Sequence, residues 1–355
     1  MGDAFMVGAA TTRFRDADRT PAELAHEAAT AALAAAGRDA RDVGAVFVGC
    51  RGTGSVPGAD ALSVRLGLRR SGLGRDGGRR AEHVSASGAR AFHLAWRAVG
   101  SGLYDAVLCV GVERLAAAHD AARAAEQRRA EAARRYMAVS GATVAQLART
   151  AAKNHHQGAR NPAASSAGKV SPEAVLDSDV VAWPLTRLMV APRTAGAAAV
   201  VLATRRHGTA PRVLASVLAP DGDAARAAQQ AYDAAGIGPD EIDCAEVHDD
   251  TAAAELAAYE VLRFVPVGAG PELVETGFTA LGGVLPVNTS GGLLSLGELD
   301  GASGIAQLCE LAVQLTGDAG ARQVPGARIA LAHGRGPADD AGAARPVAVT
   351  LLGAA

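Results

Sequence analysis

The chain has 355 residues, enough for two halves of roughly 150–200 residues each. Hydrophobic residues make up 49% but aromatics only 3%, so alanine, leucine and valine must fill the core. Lysine plus arginine (35) nearly balances aspartate plus glutamate (37), for a net charge of -2. That balance argues against bulk nucleic-acid or membrane binding.

Residues 5–10 read as a strand. Pro21 opens a helix reaching about Ala36, since proline suits a first helical turn. Val43 to Cys50 reads as a buried strand, and Ala61 to Leu68 as a short helix. The glycine-rich loop 70–80 belongs to an arginine cluster of Arg69, Arg70, Arg75, Arg79 and Arg80. That cluster is either a solvated surface or a local anion or partner site. Ser85 is expected to begin a turn into an apolar helix ending near Val99, followed by a strand from Tyr104 to Val110. The alanine-, arginine- and glutamate-rich segment 116–137 should be helical, with a second helix to about Lys153. Segment 155–184, with Pro162, Pro172 and Pro184, reads as irregular chain over a site.

Strands are expected at Ala195 to Ala203 and Val213 to Leu218. The second half repeats the alternation. Helices fall at Ala224 to Ala235, Thr251 to Leu262 and Gly301 to Leu315; strands fall at Ile242 to Val247, Arg328 to Ala332 and Pro346 to Leu352. The recurring order, with Ala86-Ser87-Gly88-Ala89 echoed by Ala302-Ser303-Gly304-Ile305, implies an internal duplication. The expected division is 1–204 and 205–355, with an inserted loop region at about 115–184.

Cys50, Cys109, Cys244 and Cys309 lie far apart in apolar contexts without CxxC spacing. They read as buried, reduced thiols of a cytoplasmic protein. No signal peptide or membrane-length apolar run is evident. His155-His156 lacks nearby ligands at metal spacing, so no metal site is expected.

Two glycine-rich boxes carry the chemistry. The first is Ser85-Ala86-Ser87-Gly88; the second runs from Asn288-Thr289-Ser290-Gly291-Gly292 to Gly297-Glu298-Leu299-Asp300-Gly301-Ala302-Ser303-Gly304. With Glu246-Val247-His248-Asp249 and His333-Gly334-Arg335-Gly336, they resemble the thiolase superfamily, in its sterol-carrier-protein-type, lipid-transfer and aldolase-like branch. The resemblance covers nearly the whole chain. It implies a duplicated five-layered α/β/α/β/α fold, usually dimeric, with the segment near 105–110 close to the interface and edge pairing hiding an exposed strand.

The reactive positions depart from the family pattern. Ser85 stands where a thiolase has its cysteine, and a hydroxyl needs an adjacent base to become nucleophilic. It is a structural hydroxyl, a substrate hydrogen-bonder or a nucleophile. Glu298 replaces the histidine of a Gly-His-Pro box; it is a helix-start or salt-bridge residue, or a general base if burial raises its pKa. His248 and His333 match family histidines and can act as acid, base or oxyanion donor. Their alternative role is hydrogen bonding between loops or at the dimer interface. Arg193, Thr194, Arg335, Asn288 and Gly336 are the candidate substrate-binding residues, the arginines for a phosphate, a carboxylate or a partner protein.

The resemblance implies a CoA thioester or related acyl substrate, with CoA as part of the substrate and no tightly bound cofactor. It also implies a homodimer and an OB-fold (DUF35-type) partner. Aldol-type carbon–carbon chemistry without a cysteine acyl-enzyme is the leading expectation. An acyltransferase using Ser85 and a noncatalytic scaffold subunit are the alternatives.

Overall fold

The computed structural model describes every residue except 1, 16–17, 52–63, 66–67, 71, 73–80, 86, 115–118, 166–167 and 338–344. The side chains of 81–85 and 119–122 also lie outside the description, as do Arg75, Arg79, Arg80 and most of the 61–68 segment.

In chain order the elements are β1 (Phe5–Thr11), α1 (Pro21–Ala35), β2 (Ala45–Gly49), β3 (Ala81–Ser85), α2 (Gly88–Gly100), β4 (Ala106–Arg114), α3 (His119–Ser140), α4 (Val144–Gly158), α5 (Pro172–Leu176), β5 (Val180–Ala182), β6 (Leu185–Thr186) and β7 (Ala195–Ala203). The second half follows with β8 (Arg212–Ala219), α6 (Ala224–Ala235), β9 (Cys244–Val247), α7 (Ala252–Val261), α8 (Gly270–Glu275), α9 (Gly292–Leu296), α10 (Ser303–Thr316), β10 (Ile329–Arg335) and β11 (Val347–Gly353).

Local chemistry explains the firmest helix starts. Thr20 caps α1: its Oγ1 accepts from the Glu23 N–H at 3.3 Å, and the Glu23 carboxylate accepts from the Thr20 N–H at 2.9 Å. Thr143 and Gln146 repeat the device at α4. Gly236, in the left-handed region at φ 71°, ends α6.

The large sheet runs β3-β2-β4-β7-β1-β8-β11-β10-β9, and its order carries the duplication. In the first half, β3, β2 and β4 pair in parallel, and β7 is antiparallel to both β4 and β1. In the second, β9 and β10 pair in parallel and β11 is antiparallel to both β10 and β8. A parallel bridge from Val287 to Ala245 takes the place that β3 holds in the first half. The halves join at Phe5 opposite Arg212. Helices α2 and α10 pack on each other and on strands of both halves; α1 covers the other face of the first half and α6 that of the second. The layering is therefore α/β/α/β/α.

Close backbone approach dictates the central glycines. The Gly301 carbonyl oxygen would stand 2.7 Å from a Cβ at Gly49, and closer still to one at Gly88 or Gly111. Any side chain at those three positions would push the second box away from the first. None of the four cysteines forms a disulfide, and all are buried. No described helix is long and apolar enough to cross a membrane.

Two expectations need correction. Ser85 is the last residue of β3 rather than the start of a turn. Segment 155–184 is more ordered than its prolines suggest: α4 continues to Gly158, and α5 and the β5–β6 pair follow. Residues 106–110 lie in β4, which is hydrogen-bonded on both sides by β2 and β7. The edge position belongs to β3.

Candidate active site

The candidate residues gather at the carboxyl ends of parallel strands, where open α/β sheets place their ligands. Ser85 ends β3. Val247 ends β9, so His248 is the next residue, and His333 lies in register beside Val247 on β10. The two boxes meet here: the Gly88 N–H donates to the Asp300 carbonyl at 2.9 Å.

Glu298 is the hub. Its Oε1 lies 3.2 Å from His248 Nε2 and accepts from Arg345 at 2.6 Å. Its Oε2 is paired with Arg129. Arg129 Nε and Arg345 also reach Asp250 Oδ2, at 3.4 and 3.1 Å. Arg345 Nε donates to the Gly336 carbonyl at 2.8 Å, and Arg51 pairs with Asp300 at 2.8 Å. Thus α3, the loop after β9, the second glycine box and the start of β11 are tied by guanidinium–carboxylate contacts.

Electrostatics follow from these partners. Burial favours the neutral acid at Glu298, but the hydrogen bond with His248 and the Arg129 and Arg345 charges outweigh it; the carboxyl is held well below its usual range. The general base raised by burial is therefore overturned, and Glu298 is an ionised counter-charge to His248. Asp250 resists burial and the repulsion of Glu298 through the same arginines and is also lowered. Asp300, buried beside Glu298, is raised despite Arg345 and Arg51. Glu113 is pushed up to about 8 by burial and by Asp300, although its Oε2 accepts from the Gly301 N–H at 3.0 Å.

The two histidines differ. His248 has both ring nitrogens engaged: Nε2 at Glu298, and Nδ1 as acceptor of the Arg335 backbone N–H at a long 3.4 Å. His333 is 3% exposed, and neither ring nitrogen has a hydrogen-bond partner among the described residues. Burial, with Arg335 and His248 adding to it, lowers its pKa to about 3, so the ring stays neutral.

The remaining candidates separate. Arg335 sits two residues beyond His333 on β10. Gly336 donates its N–H to the Pro346 carbonyl at 2.7 Å and lines a cavity of about 60 Å³ with Ser87, Arg90, Leu218 and Pro346. Thr194 is buried and spends its hydroxyl on the Leu296 carbonyl at 3.1 Å. Asn288, at φ 56°, braces the fold: its Oδ1 accepts from the Val247 N–H and its Nδ2 donates to Glu255, both at 2.8 Å. Arg193 is exposed.

Sequence reading missed Arg129 and Arg345. Arg129 is one of several arginines in an alanine-rich helix, and Arg345 is 47 residues from Glu298 along the chain. His248, Asp250 and Glu298 each offer a ligand atom, all within 4.8 Å of one another. The two carboxylates also carry guanidinium partners.

Comparison with known proteins agrees with this geometry. Residues 4–175 match the family model "Thiolase, N-terminal domain", and 215–344 match "Thiolase C-terminal domain-like". An acetyl-CoA acetyltransferase of Methanothermobacter thermautotrophicus is 34% identical, covering 95% of this chain and 97% of its own. Sterol carrier protein 2 of Bos taurus is 30% identical, covering 94% of this chain and 70% of its own. Among solved structures, the "Ltp2-ChsH2(DUF35) aldolase" has a TM-score of 0.82 at 23% identity, covering 99% of this chain and 98% of that one. Human mitochondrial 3-ketoacyl-CoA thiolase has a TM-score of 0.75 at 17% identity, covering 99% of each chain. With the duplicated topology and near-complete coverage by relatives, the chain belongs to the thiolase superfamily and is similar to its sterol-carrier-type members.

Proposed function

We propose that this protein is an acyl-CoA-directed carbon–carbon lyase of aldol type that works without a cysteine acyl-enzyme. The observation that carries the reading is the division between its histidines. His333 is neutral and, among the described residues, both its ring nitrogens lack a partner, while His248 is backed by an ionised carboxylate. A neutral imidazole N–H suits a carbonyl that becomes an enolate, and a carboxylate-backed imidazole suits proton removal.

In this mechanism the thioester oxygen of a β-hydroxyacyl-CoA accepts from His333. His248 Nδ1 exchanges its long contact with the Arg335 N–H for the β-hydroxyl and takes its proton. The bond between the α and β carbons breaks, and its electron pair passes to the thioester enolate held by His333. The β carbon leaves as a ketone or aldehyde, and the proton on His248 returns to the α carbon. Glu298 orients His248 and stabilises its cationic form; Ser85 forms no ester.

The acyl-CoA relatives and the aldolase-like fold neighbour support this reading. That neighbour is an assembly that includes a DUF35 protein, and assays should include an OB-fold partner. His248→Ala and His333→Ala should each remain folded and lose roughly 10²–10⁴-fold in cleavage rate. Full activity in both folded variants would overturn the mechanism.

A noncatalytic subunit is the second reading. It is favoured by the saturation of Glu298 with Arg129, Arg345 and His248. Acyl-CoA binding and turnover by wild type, alone or with partner, would reject it.

We further propose a homodimer, because β3 stands at a sheet edge that a second chain would cover. Light scattering at micromolar concentration should give the two-chain mass; monomer mass alone would exclude it.

A further inference from the structure

Arg335 follows His333 by two residues on β10, so both side chains leave the same face of the strand. Arg335 is half-buried, yet among the described residues its guanidinium makes no hydrogen bond or ion pair; only its backbone N–H is engaged, at His248. The neighbouring guanidinia behave differently. Arg129 and Arg345 are each spent on both Glu298 and Asp250. Among the described residues four guanidinium groups, Arg51, Arg129, Arg335 and Arg345, thus meet three carboxyl groups, Asp250, Glu298 and Asp300, and Arg335 is the one that pairs with none of them.

Partly burying a guanidinium without hydrogen bonds is costly. Its planar donors fit a carboxylate through two parallel bonds. A single negative charge balances the surplus. A doubly charged phosphate would bring one charge too many into the field of Asp250 and Glu298, which already interact with Arg335.

The two groups are close enough to share one ligand. Two residues of strand separate the side-chain origins of His333 and Arg335 by roughly 7 Å. A short acyl chain can therefore lie along both. We propose that Arg335 binds a carboxylate at the far end of the acyl group while His333 holds the thioester oxygen. The preferred substrate class is then the CoA thioester of a short dicarboxylic acid. The inference rests on the acyl-CoA reading above.

The test compares glutaryl-CoA with pentanoyl-CoA, equal in chain length and differing in the terminal carboxylate, by calorimetric Kd on the full chain. Wild type should bind glutaryl-CoA about tenfold or more tightly than pentanoyl-CoA. Arg335→Gln should bring that ratio close to one, and Arg335→Lys should keep part of it. Equal binding of the two thioesters by wild type would overturn the inference while leaving acyl-CoA binding intact. So would a ratio that survives Arg335→Gln, or equal weakening of both thioesters and free CoA, which would mean that Arg335 reads the CoA phosphates. If neither thioester binds, the inference and the acyl-CoA reading fall together. Should Arg335→Gln not fold, the wild-type ratio and Arg335→Lys still decide.

Discussion

Asp249 and Asp250 are consecutive and both buried, yet their environments drive them in opposite directions. Asp249 accepts from the Leu293 N–H at 2.7 Å and from Asn154 at 2.8 Å. Burial and the nearby Glu255 nevertheless push it well above the usual carboxylate range. Asp250 suffers burial and the repulsion of Glu298, but Arg129 and Arg345 hold it low. Neutral donors satisfy a buried carboxyl without forcing it to ionise; guanidinium charges force it. One residue step thus separates a proton-holding brace from an ionised site group.

The largest expected effect tests that contrast. Asp250→Asn removes a charge from two guanidinia with 21% side-chain exposure. Breaking a buried pair from one side costs about 3 kcal/mol or more. Asp249→Asn keeps an oxygen for the Leu293 N–H and replaces a carboxyl whose charged form burial already disfavours, so about 1 kcal/mol is expected. Denaturant unfolding of both variants at neutral pH measures the difference. Equal losses would remove the distinction between the two aspartates.

This contrast also marks what was legible in the sequence. The duplicated fold and the paired glycine boxes were legible as local patterns, apolar periodicity and a glycine run before a helix; the two histidines were legible through the resemblance of their boxes to the thiolase family. β3 was not, because Ala81-Glu82-His83-Val84-Ser85 has little strand character of its own; β2 supplies its hydrogen-bonding ladder. The direction of Glu298 was missed for a related reason. Burial alone points upward, and the partners that reverse it come from α3 and from the residue just before the last strand. Thr194 and Asn288, expected to bind substrate, make their contacts with backbone and with Glu255.

The smaller effects are linked to pH, and two buried groups should act with opposite signs. His333 titrates near 6.5 when unfolded and at about 3 when folded. Between those values the unfolded chain binds more protons, so the contribution of His333 is complete above 6.5 and is lost as pH falls towards 3. Glu113 titrates near 4.5 unfolded and at about 8 folded. There the folded chain holds the proton, so its contribution is complete below 4.5 and is lost as pH rises to 8. Each group alone can change stability by at most about 1.4 kcal/mol per pH unit inside its window. Glu113→Gln preserves an oxygen for the Gly301 N–H and cannot ionise. It should raise Tm relative to wild type at pH 8, with the gain shrinking towards pH 5. His333→Gln should flatten the loss of stability between pH 6 and 4 and leave the alkaline side unchanged. Thermal unfolding across pH 4–9 separates the two. If Glu113→Gln gives a constant Tm offset at every pH, the carboxyl is not holding a proton. If His333→Gln leaves the acid slope intact, the buried imidazole is not what the folded state keeps neutral.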